Sequence, residues 1–141
     1  MEHQLLYKYG KMELSQFAMF DENYSQETKE VQYQTEAQFS FDKENNVLCS
    51  KIAVSMFDVD KPLMKCELNS YFDIQPESIE GLRKDGRIVF APPVLVQFAS
   101  LCYGSMRGVI FTKVQGTPLD KYILPPIYFG TIIDKGFAVE Y

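Results

Sequence analysis

The chain has 141 residues, 46% hydrophobic and 14% aromatic, the aromatics all Phe and Tyr with no Trp; this length suits one domain with its own core and no staples. A formal net charge of −5 and a pI of about 4.9 argue against nucleic acid as a partner, because phosphate binding needs clustered Lys and Arg. The one basic cluster, Arg83, Lys84 and Arg87, encloses Asp85 and reads as a solvated turn.

Cys49, Cys66 and Cys102 are widely spaced and sit in apolar patterns, as buried free thiols in a reducing compartment do. Met1 to Leu6 lacks the basic start and apolar run of a signal peptide, and no stretch reads as approaching the length of a membrane span. The expectation is a cytoplasmic protein with no membrane insertion.

The first strand is the least regular, near Leu6 to Phe20, with Tyr7, Tyr9, Met12, Leu14 and Phe17 as its large residues. A charged loop, Asp21 to Glu30, follows. From Val31 to Phe41 the alternation is strict: Val31, Tyr33, Thr35, Ala37, Phe39 and Phe41 point one way, and Gln32, Gln34, Glu36, Gln38 and Ser40 the other. That is a strand with one buried and one wet face. A polar turn at Asp42–Asn46 leads to a strand over Val47–Phe57, with Leu48, Ile52, Val54 and Met56 on one face. Asp58–Pro62 turns the chain into a fourth strand, Leu63–Ile74, which aligns Met64, Cys66, Leu68, Phe72 and Ile74. Loops this short favour a meander of neighbouring strands.

Pro76–Phe90 reads as an irregular crossover. Pro92 and Pro93 open a helix from about Val94 to Thr112 or Val114, ended by Gly116 and Pro118. The loop Thr117–Pro126 carries Tyr122, Ile123 and Leu124, apolar in a segment that otherwise reads as surface, and Tyr128 and Phe129 follow its prolines. No internal repeat, low-complexity segment or domain boundary interrupts residues 1–141.

Catalytic chemistry finds no foothold. The one histidine, His3, lies near the terminus, so neither a cysteine nor a serine nucleophile has a base inside the domain. No Cys/His pair has zinc spacing, and Gly104-Ser105-Met106-Arg107-Gly108 has neither the Walker nor the dinucleotide spacing. Asp58 and Asp60 fit a hairpin turn better than acid–base work. The expectation is a protein that is not an enzyme and holds no metal or cofactor.

The helix is apolar on nearly every side, from Val94, Leu95, Val96, Phe98 and Ala99 to Val109, Ile110 and Phe111. One sheet covers one side only, so a second copy of the chain is the favoured cover for the rest. Gly104 and Gly108, four apart, each cost about 1 kcal/mol against Ala in a helix interior, and close approach of a neighbouring element explains that cost.

These motifs resemble the SecB family of export chaperones. Ala91-Pro92-Pro93-Val94-Leu95-Val96-Gln97-Phe98-Ala99 is similar to the opening of the family's long helix, and Ser105-Met106 falls at its Ser-Met position. Leu124-Pro125-Pro126-Ile127-Tyr128-Phe129 looks like the family's Pro-Val/Ile-Asn-Phe motif, with Ile132 and Ile133 at apolar positions after it. Phe72-Asp73-Ile74 and Ile79-Glu80-Gly81 sit where the family ends its fourth strand and begins the crossover. The resemblance implies an α+β fold: a four-stranded antiparallel, meander-like sheet with one long helix and a short C-terminal helical turn packed on one face. It also implies a homo-oligomer, a tetramer or a dimer, and an ATP-independent holdase that binds unfolded or nascent polypeptide, such as preproteins for export, in apolar grooves.

On that reading the client groove is walled by Tyr122, Ile123, Leu124, Tyr128 and Phe129 against Phe17 and Phe39, and the oligomer interface uses Phe98, Leu101, Gly104, Ser105 and Gly108. The sequence departs from the family at several points. Ser100-Leu101 replaces an Arg-Glu pair, Tyr128 replaces the Asn or Asp before the motif's Phe, and little follows Ile133. Only Glu13 remains of the acidic positions that dock the SecA motor. These departures argue against delivery to SecA and fit an orphan or specialised member, for instance one serving a toxin–antitoxin pair. A dedicated adaptor with one partner and a carrier of a small apolar ligand remain as alternatives.

Overall fold

The computed structural model describes residues 5–27 and 30–140; His3 lies outside them. The fold is α+β. Four strands, β1 (Tyr7–Met19), β2 (Gln32–Asp42), β3 (Val47–Asp58) and β4 (Lys61–Ile74), form an antiparallel sheet in the order β1-β4-β3-β2. The short turns at Asn46 and Val59 make β2, β3 and β4 the expected meander. The first strand differs: β1 pairs with β4 rather than with β2, at the far edge of the sheet from it. Two register shifts, near Gly10 and Ser15, account for its irregular pattern, since each bulge flips the alternation.

The alternation of β2–β4 sorts the faces as the sequence implies. Leu48, Ile52, Val54 and Met56 of β3 and Met64, Cys66, Leu68, Phe72 and Ile74 of β4 are buried on one side. Across that face lies α2 (Pro92–Lys113), reached through α1 (Pro76–Glu80) and a hairpin of β5 (Arg83–Lys84) and β6 (Arg87–Phe90). The helix buries Leu95, Phe98, Ala99, Cys102, Tyr103, Met106 and Ile110. Small residues permit the close approach: Ser50 and Ser70 pair across β3 and β4, and the Cys102 thiol lies over them, 3.5 Å from the Ser50 carbonyl and 3.6 Å from that of Leu68. Contrary to the sequence reading, α2 is by length and composition long and apolar enough to cross a membrane; here its inner face packs on the sheet.

The crossover is more ordered than expected. Asp85 and Gly86 both take positive φ, 54° and 77°, which is the turn a tight hairpin needs and which Asp-Gly supplies. The chain's last described residues complete this small sheet: after a single 3₁₀ turn at Phe129–Thr131, β7 (Phe137–Glu140) pairs with β6. Phe90 then meets Phe41 at 5.2 Å and Phe137 at 6.1 Å, closing one end of the core.

Candidate functional site

The outward face of α2 and the loop after it hold several of the exposed large apolar side chains, others lying on β1 (Met12, Leu14) and at the β3–β4 turn (Val59). Phe111 is 60% exposed and Ile123 72%. They stand on either side of a cleft of about 240 Å³ whose floor is Ile110, Val114 and Leu124, with Tyr122, Arg107, Gly108 and Asp120 completing its walls. Two hydrogen bonds fix the loop against the helix: the Tyr103 hydroxyl donates to the Pro125 carbonyl at 2.6 Å, and Arg107 Nε donates to the Leu124 carbonyl at 3.1 Å. At its far end Lys121 Nζ donates to the Tyr24 hydroxyl at 2.5 Å and lies 4.9 Å from that ring's centroid and 5.3 Å from Tyr122's.

This geometry divides the seven expected client residues. Ile123 is on the cleft and Tyr122 lines it half-buried. Leu124 and Phe129 are core instead: Leu124 points inward as the cleft floor, and Phe129 is fully buried against Tyr103, ring centroids 5.6 Å apart. Residues 122–128 run without a regular turn, with Ile123 exposed, Leu124 and Phe129 buried, and Tyr128 72% exposed. Phe17 lies elsewhere, half-buried on β1 with Lys113 Nζ 5.9 Å from its ring centroid. Phe39 lines a separate cleft of about 250 Å³ with Leu95, Ile132, Ile133 and Phe137. The single groove expected from the sequence is thus two clefts, and Phe111, Arg107 and Ile132 are the residues the sequence reading missed.

The expected interface set divides as well. Phe98 is fully buried and faces the sheet, with Phe72 at 4.6 Å and Tyr7 at 4.8 Å; it is corrected from interface to core. Ser105 is half-buried and bonded to the Tyr9 hydroxyl at 3.1 Å, and that hydroxyl also meets Ser70 Oγ. Leu101, 38% exposed, and the exposed Gly104 and Gly108 do form an outward stripe. A Cβ added at either glycine would meet nothing within 4 Å, so no element of this chain exploits their small size.

The thiols are poor nucleophiles. Burial pushes the Cys66 thiol up to about 11, and burial likewise raises Cys49 and Cys102; a protonated thiol does not attack.

No protein-family model matches the sequence, and no curated protein matches it. A solved structure does resemble the fold: a SecB-like chaperone of Mycobacterium tuberculosis in complex with a ChAD peptide from the HigA1 antitoxin. The likeness spans 86% of this chain and 90% of the other, with a TM-score of 0.57 and 10% identity. The fold is SecB-like. At that identity the likeness speaks for the architecture alone, and the cleft residues stand on their own geometry. Within this SecB-like fold the cleft lies between the long helix and the loop that follows it.

Proposed function

We propose that this protein is a SecB-like chaperone that holds extended, apolar segments of client polypeptides and acts by binding alone. The observation that carries the reading is the Phe111–Ile123 cleft: large apolar side chains, held open by two hydrogen bonds from α2 to the loop, on a fold similar to a peptide-bound chaperone. An exposed apolar cleft with a polar rim is what a binding site for an apolar segment requires. Pre-organisation lowers the cost of ordering the site.

A dedicated client is the favoured form of this reading. The similar chaperone carries a peptide from one antitoxin, and this cleft accommodates one or two side chains rather than a long stretch. Self-association is part of the proposal, since the stripe of Leu101, Gly104 and Gly108 is apolar, flat and uncovered within one chain; a tetramer or a dimer would cover it. The site of action proposed is the cytoplasm. The test is suppression of aggregation of several unrelated unfolded proteins, alongside peptide arrays scanning antitoxin-like and preprotein sequences. Protection of all clients alike supports a general holdase, and a single strong peptide supports a dedicated one. No protection and no peptide bound would end the chaperone reading.

A further inference from the structure

We propose that the Phe111–Ile123 cleft selects client segments whose large apolar side chain is flanked by carboxylates. This rests on the client reading above and names the chemistry of the segment. From Pro92 to Tyr128, the stretch that builds the cleft, the charged residues are Arg107, Lys113 and Lys121 and the single acid Asp120. This stretch is net basic on a chain of net charge −5, although only Arg107 and Asp120 of the four line the cleft itself, Lys113 lying by Phe17.

Arg107 lines the cleft, and its Nε is tied to the Leu124 carbonyl at 3.1 Å. The ion pairs among the described residues include Lys11–Glu13, Lys51–Glu67 and Arg83–Glu80, and no carboxylate of the described residues approaches Arg107 within 4 Å. A guanidinium held by one nitrogen keeps its terminal N–H groups aimed for a bidentate carboxylate, and it loses little freedom on binding one. Lys121 does not line the cleft; its ammonium turns to the Tyr24 hydroxyl and lies by the Tyr24 and Tyr122 rings. Asp120 is the one acid on the cleft and Arg107 the one cation; they form no ion pair among the described residues, so the guanidinium's terminal N–H groups stay available to a client carboxylate. The acidic remainder of the surface attracts basic segments at long range. At about 0.15 M salt, however, the screening length is about 8 Å, so groups in contact with the segment decide.

The test uses the full chain and three labelled extended peptides with one shared Phe/Leu centre and flanks of Glu, Gln or Lys. Anisotropy titrations are run at about 150 mM and about 600 mM salt. At the lower salt the Glu-flanked peptide binds about 3- to 10-fold tighter than the Gln-flanked one, the scale of one or two partly exposed ion pairs, and the Lys-flanked peptide binds weakest. At the higher salt the gap closes to within about twofold. In Arg107→Gln the ratio of Glu- to Gln-flanked affinity falls toward one; the ratio is the readout, because the variant also loses the bond to the Leu124 carbonyl and binding of both peptides drops with it. Should that variant not fold, the salt series on the parent protein carries the same test. Equal binding of the Glu and Gln peptides at the lower salt, or tightest binding by the Lys peptide, overturns the inference and leaves the client reading standing. Binding of none of the three overturns both.

Discussion

The Tyr103 hydroxyl reaches out of the core to donate to the Pro125 carbonyl at 2.6 Å, while its ring packs edge-on against Phe129 at 5.6 Å. One side chain thus anchors the segment from Pro125 to Phe129 at both ends. Tyr103→Phe keeps the ring contact and removes the bond. The expected loss is about 1 kcal/mol, the net worth of one hydrogen bond whose acceptor can turn to water. Limited proteolysis should show faster cleavage in residues 117–126. Unchanged cleavage and stability would mean that Arg107 and the Leu124 side chain hold the loop unaided.

Alkaline pH should destabilise the fold through its thiols. Burial, with Cys102 and Glu67 adding to it, raises Cys66 from an ordinary 9 to about 11. The fold therefore favours the protonated form: its contribution is complete below pH 9 and is lost as pH rises through 11. The loss amounts to about 2–3 kcal/mol over that window. Urea unfolding at intervals from pH 8 to 11 measures the slope, and Cys66→Ala should flatten it. Cys102 and Tyr103 are shifted the same way by burial, so some slope persists. A parent protein with no fall in stability across the window contradicts the assignment.

The β3–β4 turn holds Val59 at φ 60° with 77% of its surface exposed. A β-branched residue pays about 1–2 kcal/mol in that left-handed region, whereas Asn tolerates it. Val59→Asn should stabilise the protein by about 1 kcal/mol, read as a raised urea midpoint with unchanged slope.

Gly104→Leu separates folding from assembly. A Cβ added at Gly104 meets no atom of the described residues within 4 Å, and replacing Gly in a helix gains up to about 1 kcal/mol. The monomer fold should hold or strengthen. If the Leu101–Gly104–Gly108 stripe is the contact between copies, light scattering should show a lower mass than for the parent. An unaltered oligomeric mass places the contact on another surface.

What was legible in the sequence follows from the range of the interactions. Two-residue alternation is local, so β2, β3 and β4 and their buried faces could be read directly. The partner of β1 depends on where residues 20–31 lead, and its two bulges hide the period. The small sheet was invisible because Arg83–Lys84, Arg87–Phe90 and Phe137–Glu140 are too short to show a period, and β7 finds β6 only through the tertiary fold. At the site, Tyr122 and Ile123 stood out as apolar residues in a loop. Leu124 and Phe129 share that composition and differ only in direction, which the loop's hydrogen bonds to α2 set. Phe111 was hidden among the apolar residues of α2, because composition does not say which side faces the sheet.

The cleft itself is tested by removing its two walls. Phe111 and Ile123 are 60% and 72% exposed, so each contributes little to the folded chain, and Phe111→Ser with Ile123→Ser should shift the unfolding midpoint only slightly. A client side chain seated between them would cover both. Full burial of a large apolar side chain is worth about 1.5–3 kcal/mol, and part of that is already realised in the free protein, so the double variant should lose about 2–3 kcal/mol of binding, roughly 30- to 150-fold in Kd. Leu124→Ser makes the contrast: at 4% exposure it puts a hydroxyl into the core and should cost about 2–5 kcal/mol of stability. Binding isotherms and urea curves on all three proteins distinguish the outcomes. A double variant that binds client peptide as tightly as the parent would move the site to the Phe39–Ile132 cleft, and one that unfolds would make Phe111 and Ile123 structural.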